Sequence, residues 1–397
     1  MTETTLAIGD LEHIVEAIMR RGGLSPLHAG ALTRAIVAGE RDACKSHGVY
    51  RVEGCLRTIK AGKVVPDAEP ELTSDDSAIV RVAAKGGFAN AAFELGAPVL
   101  AEKARQFGLA ALVINDCTHF SALWPEIEAL TAHGLAAMAM CPSYASVAPS
   151  GGSGPLLGTN PFAFGWPRPG RTPYVFDFAT SVAARGEIEL YRRAGKPLPE
   201  GWAIDTDGKP TTDPEAALDG AMLPFGGHKG SAISTMIELL AGVMIGDLTS
   251  PEALEALGTT TLAPAHGELI LAFDPARFAQ GRAGDPMARA ETLFEAMVGQ
   301  GARLPSQRRF AAREKALAEG IRLTAEEMAL LERLREKGST PFKHRSPPGP
   351  GGLFHRVRLR IWRPRPAACS SSRTSRGTIC TGLRHSHAGS PRVHPSH

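Results

Sequence analysis

Helical periodicity at both ends of the chain, around a middle of short apolar runs, narrows the accessible folds more than any other feature. Residues 10–21 place Leu11, Ile14, Val15 and Ile18 at helical spacing and stop at Gly22-Gly23. Ser25-Pro26 then offers an N-cap followed by proline in the first helical position. Leu27, Ala31, Leu32, Ile36 and Val37 line the inner face of that second helix, which runs out near Lys45. A third helix is predicted over 49–61, with Arg51 in its first turn. At the far end, 286–337 reads as helical, with Thr324-Ala-Glu-Glu327 as a capping box.

Between these ends, strands are predicted at 78–83, 110–115, 135–141 and 268–273, and helices at 88–106, 124–133 and 228–245. Residues 162–166 and 174–177 form a hairpin-like pair. The order predicts an α+β protein with one helical domain assembled from both termini, 1–70 and 283–338, around an α+β domain at 71–282. Residues 339–397 stand apart as a basic tail.

The net charge of +3 hides that asymmetry. From Thr340 onward there are eleven lysines and arginines and no acidic residue, which leaves 33 basic against 41 acidic residues before it. An acidic body argues against nucleic-acid binding by the folded part. The tail lacks apolar periodicity and reads as an out-of-frame extension or a basic interaction arm. No apolar run is long enough to cross a bilayer, and the start, MTETTLAIGDLEH, lacks the order of a secretory signal, so a cytoplasmic protein is expected. The six cysteines (Cys44, Cys55, Cys117, Cys141, Cys369, Cys380) include no CxxC pair, so neither a zinc site nor a disulfide framework is expected. Cys44, Cys117 and Cys141 read as packing residues.

Chemistry-bearing residues gather in a few short segments. Ser46-His47-Gly48-Val49-Tyr50-Arg51 sets an imidazole beside a hydroxyl and one helical turn before a guanidinium fork. That set suits proton transfer to an anionic substrate, although a histidine ending a helix beside a surface arginine has the same pattern. His119-Phe-Ser-Ala-Leu-Trp124 follows a buried strand and opens a helix, a frequent ligand position in α/β arrangements. Gly158-Thr159-Asn160-Pro161 is a turn, Asp177-Phe-Ala-Thr-Ser181 ends a strand, and Arg185-Gly186-Glu187 begins a helix. Phe225-Gly-Gly-His228-Lys229-Gly-Ser231 puts free N–H groups and a cation at a helix start, where phosphate binds well. It is not a Walker A loop, and no GxGxxG occurs anywhere.

Taken in order, the blocks SHGVYR, CTHFSALW, SVAPSGG, LLGTNPFAF, FDFATS, RGEIEL, GKPLPEGWAID, DGKPTTDP and LPFGGHKGSA resemble the malate/L-lactate dehydrogenase family of NAD(P)-dependent oxidoreductases. The resemblance spans about residues 5–338 and implies a non-Rossmann cofactor domain with a mixed, largely antiparallel sheet. THFSALWPEIEAL and LPFGGHKGSA are most similar to its Δ1-piperideine-2-carboxylate/Δ1-pyrroline-2-carboxylate reductases. Where those often carry His-Gly-Asp, this chain has Arg185-Gly186-Glu187, common in the wider family.

The resemblance implies reduction of a cyclic 2-imino acid to L-pipecolate or L-proline by NADPH, with NADH the alternative cofactor. The rival reading is a 2-hydroxy acid dehydrogenase acting on malate, lactate or a relative; a non-catalytic scaffold is the rival from another class. His47 would be the proton donor, oriented and kept charged by Ser46 and Glu187. Arg51, Thr159 and the Arg185-Gly186 backbone would bind substrate. Cofactor contacts would fall on His119, Phe120, Ser121, Ala122 and Leu123, on Asp177, Phe178 and Ala179, on His228 and Lys229, and on Arg303, Arg308 and Arg309. No metal, nucleic acid or membrane is implied, and the assembly would be a homodimer.

Overall fold

The computed structural model describes residues 3–337; the tail expected over 339–397, with Cys369 and Cys380, lies outside the described residues. The chain opens with strand β1 (Thr4–Leu6), helices α1 (Ile8–Arg21) and α2 (Pro26–Arg41), a 3-10 turn (Lys45–His47) and α3 (Tyr50–Lys60). Ser25 caps α2, its hydroxyl accepting the His28 N–H. α2 ends short of the expected limit because Ala43 turns into the left-handed region at φ 56° and reverses the chain.

Seven strands form the central sheet: β2 (Glu71–Ser74), β3 (Ile79–Ala83), β4 (Leu109–Thr118), β5 (Ala136–Met140), β6 (Phe162–Trp166), β7 (Tyr174–Phe178) and β11 (Ala265–Phe273). Their spatial order is β2-β3-β4-β11-β5-β6-β7. Only β3 and β4 run parallel, joined through α4 (Ala89–Phe107); every other neighbour in this sheet is antiparallel. One face, with Val80, Val82, Leu112, Ile114 and Ile270, packs on Phe93 and Leu100 of α4 and on Ile127 and Leu130 of α5 (Trp124–Ala132). Full burial of each such side chain is worth about 1.5–3 kcal/mol. Cys117 and Cys141 are buried in this core and Cys44 is partly buried against it, as expected of packing residues.

A small sheet of β8 (Ala203–Ile204), β9 (Pro210–Thr211) and β10 (Ala221–Met222) packs with α6 (Arg185–Arg193) and α7 (Pro214–Asp219) through Ile188, Ala203, Ala217 and Met222. The other face of the central sheet, with Val113, Met140 and Leu269, meets Ile237 of α8 (His228–Glu238) and Ala241. The single α-helix expected over 228–245 is not found. α8 gives way to a π-helical turn, Leu239–Val243, a difference that apolar spacing alone does not resolve. After α9 (Ser250–Leu257), β11 leads to the short α10 (Pro275–Phe278).

The carboxyl-terminal segment is also not helical throughout: α11 (Pro286–Gly299) and α12 (Gln307–Glu319) precede β12 (Ile321–Leu323) and α13 (Ala325–Lys337). β12 pairs antiparallel with β1, a partner that a strand of three residues needs and cannot signal locally. The Thr324–Glu327 capping box forms. Leu11, Val15, Ile18, Leu32, Ile36 and Val52 share one core with Ala316, Ile321, Leu323, Leu331 and Leu334, so both ends build one body. α11 stays outside it and docks on the sheet edge, where Phe294 stacks on Tyr174 at 5.1 Å and Glu291 pairs with Arg168 at 2.6 Å.

Candidate active site

Between the helical body and the sheet lies a cleft of about 1480 Å³, lined from both sides. The Lys45–His47 turn carries its most reactive group. Lys45 ties the turn down through Glu40 at 2.6 Å and Glu327 at 3.0 Å, and the buried Glu40 carboxylate also accepts the Val49 N–H at 2.9 Å. Gly39 lets the turn lie directly on α2, since a Cβ there would stand 2.5 Å from the His47 carbonyl oxygen. Ser46 Oγ lies 3.1 Å from His47 Nδ1, and the imidazole meets Trp124 edge-on at 6.2 Å.

Arg51 is held as a fork. Its Nε donates to the Ser46 carbonyl at 2.6 Å and its guanidinium lies 4.1 Å over the Phe120 ring, while its terminal nitrogens have no hydrogen-bond partner among the described residues. Phe120, expected at the cofactor, thus serves as the platform under Arg51. It reaches that position over Gly54, where a Cβ would come within 2.6 Å of the ring.

The opposite wall brings Thr159, Arg185, Gly186 and Glu187. Asn160, which motif reasoning passed over, anchors this wall: its side chain accepts from Ser143 N–H and Ser250 Oγ and donates to Ser234 Oγ and Glu238. The only advance sign of it was a polar residue inside an apolar loop. The Ala184 N-cap gives α6 no side-chain partner, so the Arg185 and Gly186 N–H groups stay open at the helix start. The Arg185 guanidinium is occupied by the Leu218 carbonyl and Thr260 Oγ1.

Glu187 departs from expectation. Its side chain is exposed and makes no ion pair or hydrogen bond among the described residues, His47 included. The His47 ring is therefore not kept charged by a carboxylate. Protein crowds it on most sides, and with the Arg51 guanidinium and His119 nearby its pKa is pushed down to about 3, so the ring is neutral.

The expected cofactor residues divide. Ser121, Ala122, Phe178, Ala179, Arg303 and Arg308 line the cleft; Arg303 and Arg308 are exposed cations with no ion-pair partner among the described residues. Arg309 also borders the cleft, but its guanidinium is engaged elsewhere. It is buried between Asp42 at 3.2 Å and Glu128, and it stacks on Trp124 and Phe310. Asp177 accepts the Leu123 and Trp124 N–H groups at 2.8 and 3.0 Å, which caps α5, and the Leu123 side chain belongs to the core. His228 and Lys229 are exposed at the start of α8 and do not line this cleft. The His119 imidazole turns inward to Glu126 and Glu268. Glu126 and Glu268 gave no motif, because 142 positions of sequence separate them.

A family model described as malate/L-lactate dehydrogenase matches residues 6–332. The Δ1-pyrroline-2-carboxylate reductase of Agrobacterium fabrum is 73% identical over 336 residues, 84% of this chain and 97% of that protein. The Δ1-pyrroline-2-carboxylate/Δ1-piperideine-2-carboxylate reductase of Pseudomonas aeruginosa is 55% identical over 331 residues, 82% of this chain and 99% of that protein. The solved Δ1-piperideine-2-carboxylate reductase of Pseudomonas syringae superposes with a TM-score of 0.79 at 40% identity, over 84% of this chain and 99% of that one.

Proposed function

From the premise that the chain belongs to the malate/L-lactate dehydrogenase family and is an NAD(P)H-dependent oxidoreductase, we propose that it reduces a cyclic 2-imino acid, Δ1-pyrroline-2-carboxylate or Δ1-piperideine-2-carboxylate, to L-proline or L-pipecolate. The observation that carries this reading is the convergence, in one cleft, of a neutral imidazole, an unpaired guanidinium fork and an uncapped helix start. The ring of such a substrate presents a carboxylate and an adjacent C=N group, which need a fixed cation and a proton partner a short distance apart.

A bound nicotinamide supplies the hydride. Arg51 takes the substrate carboxylate through its free terminal nitrogens, and Phe120 keeps the fork in plane. Thr159 and the Arg185-Gly186 N–H groups close the other side. His47 meets the reacting nitrogen, with Ser46 fixing its tautomer. Burial is the main cause that keeps His47 neutral, and the substrate carboxylate offsets the second, the Arg51 charge, so bound substrate raises the proton affinity of the ring. Glu187 keeps a role only if the cleft closes on substrate, and a Glu187→Gln variant with unchanged kcat removes it from the mechanism.

The cleft volume suits a dinucleotide beside a small acid, and the exposed, unpaired Arg303 and Arg308 suit a ribose 2′-phosphate. The preferred cofactor on this reading is NADPH. No described helix is long and apolar enough to cross a membrane. On this reading the protein is a homodimer, since Leu239, Val243 and Met244 leave an apolar strip exposed over one sheet face. Sedimentation at micromolar concentration tests the dimer.

The deciding assay mixes enzyme and NADPH with each cyclic imine, and separately with pyruvate or oxaloacetate, and follows loss of reduced nucleotide. Turnover of the imines is expected. Turnover of the oxo acids alone would overturn the reading in favour of a 2-hydroxy acid dehydrogenase.

A further inference from the structure

Three polar side chains from three elements converge behind the wall of the cleft. Glu126, in the first turn of α5, is 3% exposed, Glu268, on β11, is 0% exposed, and His119, directly after β4, is 4% exposed. His119 Nε2 lies 3.6 Å from a Glu126 oxygen and 3.8 Å from a Glu268 oxygen. One ligand atom from each of the three lies within 4.8 Å of the other two. That nitrogen and all four carboxyl oxygens lack a hydrogen-bond partner among the described residues, and no lysine or arginine there pairs with either acid.

The fold sets them there through the sheet. β11 shifts register against β4 between His266 and Glu268, and Glu268 then alternates in line with Ile270 and Ala272, whose side chains lie in the core under α4 and α5. A position that alternation gives to a core side chain thus holds an acid, and the helix packed on it supplies a second. Two enclosed carboxylates, with an imidazole nitrogen directed at both, form a buried polar cluster that the chain itself leaves unsatisfied. The spacing is that of ligands around one ion. Metal–ligand distances of about 2.0–2.2 Å set two ligand atoms about 3–4 Å apart. Direct charge-assisted hydrogen bonds would draw the nitrogen and the oxygens together to about 2.7–2.9 Å. The charges balance as well, since two carboxylates and a neutral imidazole around a divalent cation leave no net charge buried. A mixed nitrogen and oxygen set suits zinc or manganese rather than calcium or magnesium, which favour oxygen alone.

We propose that His119, Glu126 and Glu268 bind one divalent cation, zinc or manganese, which clasps β4, α5 and β11 together behind the cleft. The imidazole binds through an unprotonated Nε2, both acids bind as carboxylates, and water completes the coordination.

The clasp matters to the cleft because of the segment strung between two of its ligands. From His119 to Glu126 the chain carries Phe120, whose ring supports the Arg51 guanidinium at 4.1 Å, then Ser121 and Ala122, which line the cleft, and Trp124, which meets the His47 ring at 6.2 Å. An ion holding both ends of this segment fixes the platform on which the Arg51 fork rests. Its part is positional, and hydride and proton transfer proceed without contact with it. The consequence for turnover rests on the reading of Arg51 as the carboxylate fork; the binding site itself does not.

The test uses full-length enzyme stripped with dipicolinate, together with the variants Glu126→Gln, Glu268→Gln and the double. Calorimetric titration of the stripped parent with zinc or with manganese should show uptake of a single equivalent. Reloading with zinc should raise the melting temperature by about 5 °C or more. It should also lower the imine KM by about ten-fold, as the Phe120 platform is restored. The double variant keeps the shape of both side chains without their charge; its affinity for zinc should fall about 100-fold or more, and its melting temperature should no longer respond to the ion. A stripped parent that takes up neither ion, or a double variant that takes up zinc as well as the parent does, would overturn the site. So would an infrared protonated-carboxyl band, missing from the double variant, that persists in the parent at saturating zinc. A parent whose melting temperature responds to zinc but which does not reduce the imine would instead sink the functional reading and leave the site standing.

Discussion

Arg51 illustrates how much of this site depends on individual side-chain geometry. Its value lies in a planar fork held by the Ser46 carbonyl and the Phe120 ring, not in charge alone. Arg51→Lys is therefore expected to raise the imine KM about ten-fold or more with nucleotide binding unchanged, measured by steady-state kinetics and fluorescence titration. The three arginines around Leu304, Arg303, Arg308 and Arg309, separate by their neighbours. Replacing Arg303 and Arg308 by alanine should narrow the preference for NADPH over NADH with little change in melting temperature. Arg309→Ala, which leaves the buried Asp42 to Arg41 and Arg313 and the half-buried Glu128 to Arg313 alone, should cost up to about 3 kcal/mol in denaturant unfolding. His266 adds a pH signature. Its pKa is about 3 in the fold, and near 6.5 once unfolded, so falling pH protonates the unfolded chain first. The fold thereby loses about 1.4 kcal/mol per pH unit between those values. His266→Asn should lose that component, so its stability relative to the parent should improve steadily from neutral pH toward pH 4.5; parallel curves would show the imidazole already charged in the fold.

At the scale of elements, the Lys45–His47 turn is the piece on which the site hangs. It follows a helix that ends on a left-handed residue, lies on α2 at Gly39, and is tied by Lys45 to both the second helix and the last one. A methyl group at Gly39 would meet the His47 carbonyl at 2.5 Å, and the obstacle is backbone rather than a flexible tip. Gly39→Ala should cost about 1–3 kcal/mol in stability yet about 100-fold in kcat, since a displacement near 1 Å is enough to spoil a catalytic alignment. Equal kcat in variant and parent, with a lowered melting temperature, would show that the turn tolerates displacement. The same logic explains the partial success of local patterns. Long periodic helices such as α1, α2 and α4 follow the periodicity closely, whereas β1 and β12, three residues each, exist only because they pair with one another.

For the whole molecule, the two ends of the described chain close on each other. Ile18 and Leu32 from the start share a core with Leu331 and Leu334 near the end, and Lys45 reaches Glu327. The described core is complete by Leu334, so truncation after Lys337 should leave melting temperature and imine turnover within error of the full chain. Truncation into α13, after Thr324, should remove Leu331 and Leu334 from the core and unfold the amino-terminal helices with it; calorimetry distinguishes the two.

The amino-acid order by itself determined the α+β class, the positions of the long helices and most strands, and the pairing of Ser46-His47 with Arg51, because helical and strand periods and one-turn spacings are local properties. It also carried the family, through ordered blocks that survive without any knowledge of contacts. Only the tertiary structure decided the rest. It withdrew Glu187 from His47, turned Asp177 into a cap for α5, and buried Arg309 in an ion-pair network. It also brought Glu126 and Glu268 together on His119. The physical reason is the same in each case. Charge state and partner choice depend on burial and on neighbours distant along the chain, and neither leaves a period or a spacing for a sequence to display.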